Sequence, residues 1–340
     1  MKLMRTEDAV GQVLCHDITQ IIKGVTKDAV FRKGHIITEE DIPVLLSVGK
    51  DHIYIWENNE NMLHENDAAK ILYDMCANEH MTPSKIKEGK IELIAECDGL
   101  LKVDTERLNA VNALGEMMIA CRHGNFPVKK GDKIAGTRII PLVIEKEKME
   151  RAKKAAGEEP IFELIPFKKM KAAIVNTGNE VFYGRIKDTF TPVIIEKLKE
   201  YGAEVVGHVV SDDNHEHITA AIQKFLDEGV DMVLCTGGMS VDPDDRTPLA
   251  IKNTGAEIVT YGAPVLPGAM FLLSYYGEKK RPVIGLPGCV MYAKRTIFDL
   301  VLPRIVAGEI LKKADIDTLG EGGLCLNCPV CTFPNCGFGK

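Results

Sequence analysis

The sequence predicts an α/β protein whose main domain, residues 166–310, is a three-layer, doubly wound and mostly parallel sheet. After Pro166, short runs of β-branched residues alternate with patterns of helical period. Such runs are typical of strands buried on both faces of a parallel sheet, and the helical patterns end at glycine, as helices prefer. The strands are expected at residues 172–176, 204–210, 231–235 and 282–286, and the helices between them at residues 191–202 and 214–229.

Smaller units are predicted before this domain. Residues 1–60 contain short β-type runs, the last at residues 53–56, and one helical pattern, which indicate a small β-rich or barrel-like module. Residues 61–165 indicate an α+β accessory region with a helix at residues 66–76. It ends in a charged, helix-favouring segment that we expect to be a solvated connecting helix.

Composition excludes several classes of protein. The chain has 340 residues and a formal net charge of -7. A general nucleic-acid binder or an anionic-membrane binder needs a basic surface, so neither partner is expected. No apolar run approaches the length of a membrane span and no secretory signal is recognisable, so we expect a cytoplasmic protein. In a reducing compartment the six scattered cysteines are expected to be small buried residues rather than disulfides.

The last residues, 311–340, form a cysteine-rich tail. Four thiols follow the spacing C-x2-C-x2-C-x4-C, in loops that contain proline and glycine. This density is typical of a tetrahedral zinc site or an iron-sulfur cluster, and the sequence leaves Zn²⁺ and [4Fe-4S] both open. The expected metal ligands are Cys325, Cys328, Cys331 and Cys336.

Four loops follow the predicted strands of the main domain. In a doubly wound fold they gather at the carboxyl ends of the strands, where the ligand binds. Glycine in the Thr236-Gly237-Gly238 loop lets the backbone approach an anion, and the hydroxyls of Thr236 and Ser240 add donors. The guest expected there is a phosphate or another oxyanion. The loops are residues 176–180, 211–214, 236–245 and 286–288, the last of which is expected to open the final long helix.

Three carboxylates lie in different loops and would converge on the same cleft. Carboxylates beside a phosphate would repel it unless a cation lay between them. We therefore expect a magnesium ion among Glu180, Asp212 and Asp245. That arrangement indicates phosphoanhydride or phosphoester chemistry. Asp213 has a second interpretation, since it could cap the next helix.

The loop motifs resemble the molybdopterin-binding domain family of molybdenum cofactor biosynthesis proteins, and the molybdopterin molybdotransferase branch in particular. The resemblance covers roughly residues 170–308 and includes several motifs in one order. It implies frequent homodimers, a pterin ligand, and magnesium-dependent insertion of molybdate into adenylylated molybdopterin with release of AMP. The motifs are Thr177-Gly-Asn-Glu180, Ser211-Asp-Asp213, residues 236–241 with Asp245, Leu266-Pro-Gly268 and Gly285-Leu-Pro-Gly288.

The resemblance also assigns roles by position. Glu180, Asp212 and Asp245 would be the acidic residues at the metal and the adenylate. The residues expected to bind the pterin phosphate and the rest of the ligand are Thr177, Gly178, Thr236, Gly237, Gly238, Ser240, Pro267, Gly268, Pro287 and Gly288.

The chain departs from the family pattern where the family usually carries lysines. The run at residues 266–270 reads Leu-Pro-Gly-Ala-Met, so two positive charges near the oxyanion are missing, and Lys294 or Arg295, in the first turns of the following helix, could supply the charge. Three interpretations therefore stay open. They are a molybdotransferase-like enzyme, a carrier that holds a pterin nucleotide and passes it to a molybdoenzyme, and a redox-sensing regulator whose tail reports on iron or oxygen.

Overall fold

The computed structural model describes residues 2–22, 26–55 and 60–340 of the chain. The chain divides into two compact units, and the finer boundaries at residues 60 and 310 stay predictions. Unit 1 consists of Met1–Glu96, Val103–Arg122 and Gly131–Glu163, and unit 2 of Cys97–Lys102, His123–Lys130 and Leu164–Lys340.

The strands and helices alternate in short elements through the first half of the chain and in longer ones after it. The strands are β1 (Lys2–Arg5), β2 (Ile18–Ile22), β3 (Thr26–Phe31), β4 (His52–Ile55), β5 (Met62–His64), β6 (Met81–Pro83), β7 (Lys90–Ala95), β8 (Gly99–Val103), β9 (Met117–Cys121), β10 (Phe126–Val128), β11 (Lys133–Ile139), β12 (Val143–Glu145), β13 (Phe162–Pro166), β14 (Lys171–Thr177), β15 (Glu204–Ser211), β16 (Met232–Thr236), β17 (Glu257–Tyr261), β18 (Leu272–Tyr276) and β19 (Arg281–Leu286). The helices are α1 (Asp41–Ser47), α2 (Glu65–Asp74), α3 (Thr105–Asn112), α4 (Lys146–Ala156), α5 (Asn179–Phe182), α6 (Phe190–Lys199), α7 (His215–Asp227), α8 (Thr247–Asn253), α9 (Ile297–Ala307) and α10 (Lys313–Asp317).

Unit 1 is built from small antiparallel sheets. β1 pairs with β4, and the sheet β6-β7-β11-β9 lies further along the chain. The run expected at residues 53–56 is observed as β4, and Trp56 lies outside the described residues. Leu14, Leu45 and Ile53 belong to a small apolar core of this region, and alternation of buried and exposed residues along β7 gives that strand one core face.

One prediction for unit 1 needs correction. The charged segment after residue 145 does form a helix, α4, but Met149, Ala152 and Ala156 on it are buried. Their spacing of three and four residues places them on one stripe, so the helix packs through that face instead of being solvated all round.

Unit 2 contains the six-stranded sheet β15-β14-β16-β19-β18-β17. The first four strands run parallel, β18 is antiparallel to β19, and β17 is antiparallel to β18. This confirms the predicted α/β class with a mostly parallel sheet, and the four predicted strands are all observed. β17 and β18 were not predicted. β17 is a largely exposed edge strand without a buried apolar run, whereas β18 is mostly buried and its run Leu272–Tyr276 could have been recognised.

The last helix of the sheet domain begins later than predicted. Residues after Pro287 form a 3-10 turn, Gly288–Met291, and α9 starts only at Ile297. Thr296 is its N-cap, in a reciprocal capping box with Asp299. Lys294 and Arg295 therefore precede the helix and do not lie in its first turns, which corrects the expectation from sequence.

The ten cysteines all lie in the described part of the chain, and no disulfide joins any two of them. Cys15, Cys76 and Cys235 are buried, and burial raises the pKa of the Cys76 thiol to about 12. These thiols are inert packing groups. Across the described parts of the chain, every helix is too short or too polar to cross a bilayer.

Candidate functional site

A cavity of about 1210 Å³ opens at the carboxyl ends of the parallel strands. Its walls are the loops that follow β14, β16 and β19, together with the segment between β17 and β18. This is where a doubly wound sheet holds its ligand. Of the residues expected from sequence to bind the ligand, it is lined by Thr177, Gly178, Gly237, Gly238, Ser240, Pro267, Gly268, Pro287 and Gly288.

The loop after β16 needs glycine at two positions. Gly237 has a φ of +87° and Gly238 a φ of +55°. An added Cβ at Gly237 would collide with the carbonyl oxygen of Thr177. The Thr247 hydroxyl donates to the Gly237 carbonyl oxygen at 2.8 Å, which fixes the loop against its own helix. The backbone is thus exposed to the cavity with no side chain in between.

Replacing Gly237 by alanine is expected to lower the free energy of unfolding by about 2 kcal/mol or more. The left-handed φ alone costs a residue with a Cβ about 1–2 kcal/mol, and the collision with Thr177 adds to it. Urea unfolding measures the loss. Gly288→Ala is the matched control, since Gly288 also lines the cavity and an added Cβ there has no atom within 4 Å. Equal losses in the two variants would contradict the interpretation.

Acidic side chains converge on the same cavity, and one of them differs from the sequence-based expectation. Glu180, Asp213 and Asp245 line it. Asp212 is not among the lining residues, because its carboxylate accepts a hydrogen bond from His217 Nδ1 at 2.9 Å on the exposed side of α7. Asn214, not Asp213, caps that helix. Asp213 is therefore the carboxylate that sequence reasoning missed, although it belongs to the same motif.

The charge of this cluster affects Asp213 directly. Burial, followed by the carboxylates of Glu180, Asp244 and Asp245, raises the pKa of Asp213 above its ordinary value, although a hydrogen bond from the Asn179 amide opposes the shift. Like charges that raise a pKa are also the charges that attract a cation. The carboxylate side of the cavity is thus complementary to a divalent ion.

Replacing Asp213 by asparagine is expected to stabilise the protein at neutral pH when no divalent ion is added. A raised folded-state pKa means that the ionised carboxylate costs stability above its unfolded pKa of about 4, so the gain should vanish below that pH. We expect less than about 1 kcal/mol because the side chain is partly exposed and screened. Urea unfolding between pH 3 and 8 measures it, with Asp212→Asn as control. A destabilised Asp213→Asn protein at pH 7 would contradict the assignment.

Asp245 shapes the glycine loop as well as charging it. Its Oδ2 atom accepts a hydrogen bond from the Ser240 amide at 3.1 Å. The Tyr261 hydroxyl donates to the Met239 carbonyl oxygen at 2.9 Å, and burial together with the nearby Asp245 charge raises the pKa of Tyr261. The loop is therefore held from two sides, and Tyr261, on a strand that sequence reasoning missed, is one of its supports.

The two Pro-Gly loops form the opposite wall. Gly268 has a φ of +135°, and an added Cβ would collide with Ile297, the first residue of α9. Pro287 and Gly288 follow β19 directly. The first Pro-Gly loop therefore packs against α9 through Gly268. The second Pro-Gly loop comes before the same helix in the chain.

Positive charge is scarce in this site. Among the described residues that line the cavity, Lys187 is the one lysine or arginine. Arg295 does not line it and is instead paired with Glu200 and Asp299, both at 2.8 Å. Lys294 donates to the carbonyl oxygens of the tail. Neither of these two cations faces the cavity in this structure.

Two buried polar groups lie at the strand ends beside the cavity. The hydroxyl of Thr236 and the side-chain amide of Asn176 have no hydrogen bond of normal length to any described residue. Asn176 lines the cavity, whereas Thr236 is fully buried behind it. The Asn176 amide nevertheless lies close enough to Asp188 to favour the ionised form of that carboxyl.

The tail cysteines lie around a second cavity. All four line a space of about 230 Å³ together with Lys294 and Arg295. Cys325 and Cys336 are half-buried against the core of unit 2, and Cys328 and Cys331 are exposed. Nowhere in the described chain are three histidine, cysteine, aspartate or glutamate side chains already grouped to hold a metal ion.

The fold and the site define an α/β domain whose parallel strands end at a cavity with a glycine loop and an acidic wall. Residues 173–307 match a protein family described as "Probable molybdopterin binding domain". The match confirms the resemblance of these loop motifs to the molybdopterin-binding domain family. Residues 3–57 match a family described as a domain of unknown function.

Relatives of known name share the domain but not the whole chain. Molybdopterin molybdenumtransferase from Synechococcus elongatus is 28% identical over 163 residues, which is 45% of this chain and 38% of that protein. A CinA-like protein from Mycobacterium avium is 34% identical over 90 residues, or 26% of this chain and 21% of that protein. The domain is thus shared by molybdenum cofactor biosynthesis proteins and CinA-like proteins, and this chain spans less than two fifths of either relative.

A solved structure is similar at the level of the domain. The molybdopterin biosynthesis enzyme MoaB from Thermus thermophilus aligns with a TM-score of 0.33 and 22% sequence identity, covering 42% of this chain and 99% of that one.

Proposed function

We propose that this protein binds adenylylated molybdopterin in the cavity of unit 2 and inserts molybdate with magnesium-dependent release of AMP. The observation that carries the proposal is the shared cavity. The glycine loop, three carboxylates from separate loops and both Pro-Gly loops line it together. An exposed backbone suits a phosphate, and carboxylates lining the same cavity suit the cation that a phosphoanhydride reaction requires.

Each group has a role that follows from its chemistry. The backbone and hydroxyls of Thr177, Gly178, Gly237, Gly238 and Ser240 would cradle the phosphate, and Thr236 would support that loop from behind. Pro267, Gly268, Pro287 and Gly288 would shape the pocket for the rest of the nucleotide.

The carboxylates Glu180, Asp213 and Asp245 would hold Mg²⁺, which supplies charge neutralisation at the phosphoanhydride when bound. Asp212, expected in this set from sequence, lies outside the cavity and accepts hydrogen bonds from His217 and from the Asn214 amide. The raised pKa of Asp213 is in keeping with this arrangement, since burial is its main cause and the carboxylates of Glu180, Asp244 and Asp245 add to it.

The test is a turnover assay with the purified protein under anaerobic conditions. Adenylylated molybdopterin, molybdate and Mg²⁺ are added, and AMP is followed by chromatography against a reaction without protein. The proposal predicts release that needs both Mg²⁺ and molybdate. Retention of intact nucleotide by a protein that binds it would contradict turnover.

A carrier function is favoured by a separate observation. Lys187 is the single cation among the described lining residues, so little positive charge is present to hold molybdate beside the phosphate. A carrier would bind the pterin nucleotide tightly, release no AMP and transfer the nucleotide to a molybdoenzyme. AMP release by the unaltered protein separates the two functions, and in an enzyme Lys187→Gln should weaken molybdate-dependent release without abolishing nucleotide binding.

We also propose that the tail binds Zn²⁺ or a [4Fe-4S] cluster through Cys325, Cys328, Cys331 and Cys336. The support is their common cavity, and the thiolate chemistry suits either centre. Metal analysis of protein purified without oxygen, with Cys328→Ser/Cys331→Ser as the comparison, tests it. Homodimer formation is a further expectation that light scattering tests.

A further inference from the structure

The cysteine tail is joined by backbone hydrogen bonds to the first Pro-Gly loop of the cavity. The Leu266 amide donates to the Gly323 carbonyl oxygen at 2.8 Å, and the Cys325 amide donates to the Leu266 carbonyl oxygen at 2.8 Å. Leu266 lines the cavity at the carboxyl ends of the parallel strands, whereas Cys325 lines the second cavity, which is surrounded by the four tail cysteines. One short backbone pairing therefore separates the first tail cysteine from a wall of the proposed ligand site.

The tail is also held next to the second Pro-Gly loop. The ammonium of Lys294 donates to the Pro329 carbonyl oxygen at 2.7 Å and to the Cys328 carbonyl oxygen at 3.3 Å. Lys294 follows the 3-10 turn after Pro287 by three residues. The segment between the second and third cysteines is thus tied to the chain that leaves the second loop.

An aromatic contact completes this attachment. The guanidinium of Arg295 lies 5.0 Å from the ring centroid of Phe333, between the third and fourth cysteines. Phe333 in turn packs on Phe126 and Phe338, with ring centroids 5.9 and 6.3 Å apart. The segments that follow Cys328 and Cys331 are therefore each held by a residue of the sheet domain.

The four tail thiols differ in their exposure to solvent. Cys325 and Cys336 are half-buried against the core, and Cys328 and Cys331 are exposed with the neighbouring Leu326 and Val330 also exposed. Leu326 and Val330 bury little apolar surface, so the middle of the tail is held mainly by the two hydrogen bonds from Lys294. A loop with few buried contacts opens at low free-energy cost.

We propose that the tail is a metal-thiolate site whose loading orders both Pro-Gly loops and so controls the affinity of the cavity for its pterin nucleotide. The ligand class is a Zn²⁺ ion or an iron-sulfur cluster. Four thiolates give such a centre a net negative charge, and Lys294 and Arg295 line its cavity. The predicted change in nucleotide affinity rests on the proposed function of the cavity. The coupling between the tail and the first Pro-Gly loop depends only on the hydrogen bonds of Leu266 with Gly323 and Cys325.

The expected effect is a linkage between two binding events. If metal loading orders the tail, it also orders Leu266 and its neighbours. Nucleotide binding then no longer carries the entropy cost of ordering them, so the affinity of the cavity for the nucleotide rises. Couplings of this kind usually change affinity by about 5–150-fold, and the reverse effect on metal affinity must be equal. We expect about a tenfold tighter nucleotide affinity in the loaded protein.

Backbone hydrogen exchange tests the coupling without any nucleotide. The metal-free full-length protein is compared, under anaerobic conditions, with protein loaded with Zn²⁺ and with protein reconstituted with Fe²⁺ and sulfide. The amides of Leu266 and Cys325 should exchange at least about tenfold more slowly after loading. Cys328→Ser/Cys331→Ser should abolish this protection, and Cys121→Ser, a thiol of β9 in unit 1, should retain it.

A second variant distinguishes metal uptake by the tail from the effect of that uptake on the nucleotide site. Lys294→Gln should still take up the metal but show a smaller change in nucleotide affinity, because one of the two attachments to the loops is lost. The proposal is overturned if the protein takes up neither Zn²⁺ nor iron. It is also overturned if the metal is taken up and the exchange rate of the Leu266 amide does not change.

The outcomes also separate this inference from the proposed function. Protection of Leu266 in a protein that binds no adenylylated molybdopterin would defeat the function and leave the coupling intact. Nucleotide binding that is identical in loaded and metal-free protein would defeat the coupling and leave the function intact.

Discussion

Replacing Asp245 by asparagine is expected to slow AMP release by at least about a hundredfold. Loss of one preorganised electrostatic group from an enzyme site typically costs about 10²–10³ in rate. Asparagine keeps an oxygen that can accept the hydrogen bond from the Ser240 amide, so the loop should keep its shape while the charge is lost. Single-turnover release of AMP at saturating Mg²⁺ is the measurement.

The matched control is Asp231→Asn. Its carboxylate also accepts one backbone hydrogen bond, from the Lys171 amide at 2.7 Å, but at the opposite ends of the same strands. We expect near-normal release from this variant. An Asp245→Asn protein with full activity would remove Asp245 from the reaction, and equal losses in the two variants would point to a general loss of stability.

Replacing Asp299 by asparagine is expected to lower the free energy of unfolding by about 3–5 kcal/mol. Asp299 is 2% exposed and Lys197, which lies 2.7 Å away, is 8% exposed by side chain. Breaking a buried pair by removing one charge leaves the other uncompensated, which gives losses of that size. Asp299 Oδ2 also accepts the Thr296 amide hydrogen bond of the capping box, and this bond weakens too.

The comparison for this prediction is Glu200→Gln, at the outer end of the same network. Glu200 is 42% exposed and pairs with Arg295 at 2.8 Å. Pairs of this exposure contribute about 0–1 kcal/mol. Urea unfolding of both variants at pH 7 measures the difference. A loss below about 1 kcal/mol for Asp299→Asn would show that the buried pair contributes little to holding α9 in place.

The local chemistry of the site could be predicted from sequence because it depends on neighbours along the chain. The Thr236-Gly237-Gly238 loop follows a buried strand, and its positive φ values are a property that glycine alone adopts without strain. The parallel strands were recognisable from β-branched runs, and the topology of a doubly wound sheet then placed their loops together. Fold class and most of the cavity lining therefore followed from residues 166–310.

Other features depend on contacts between distant residues, and only the tertiary structure decided them. Asp212 and Asp213 are adjacent and chemically identical, and the choice between them rests on which side chain meets His217 and which meets Asn179. Likewise, the start of α9 was set by the Thr296 capping box, which moved Lys294 and Arg295 out of the helix.

The sequence by itself determined an α/β domain with an oxyanion loop, an acidic wall and a tail of four thiols, since these are statements about residue type and spacing. The tertiary structure decided where the tail lies. Cys325 is joined to Leu266, 59 positions earlier, by main-chain hydrogen bonds. Such bonds use groups that every residue carries, so no sequence pattern encodes the pairing, and folding alone brings the two cavities together.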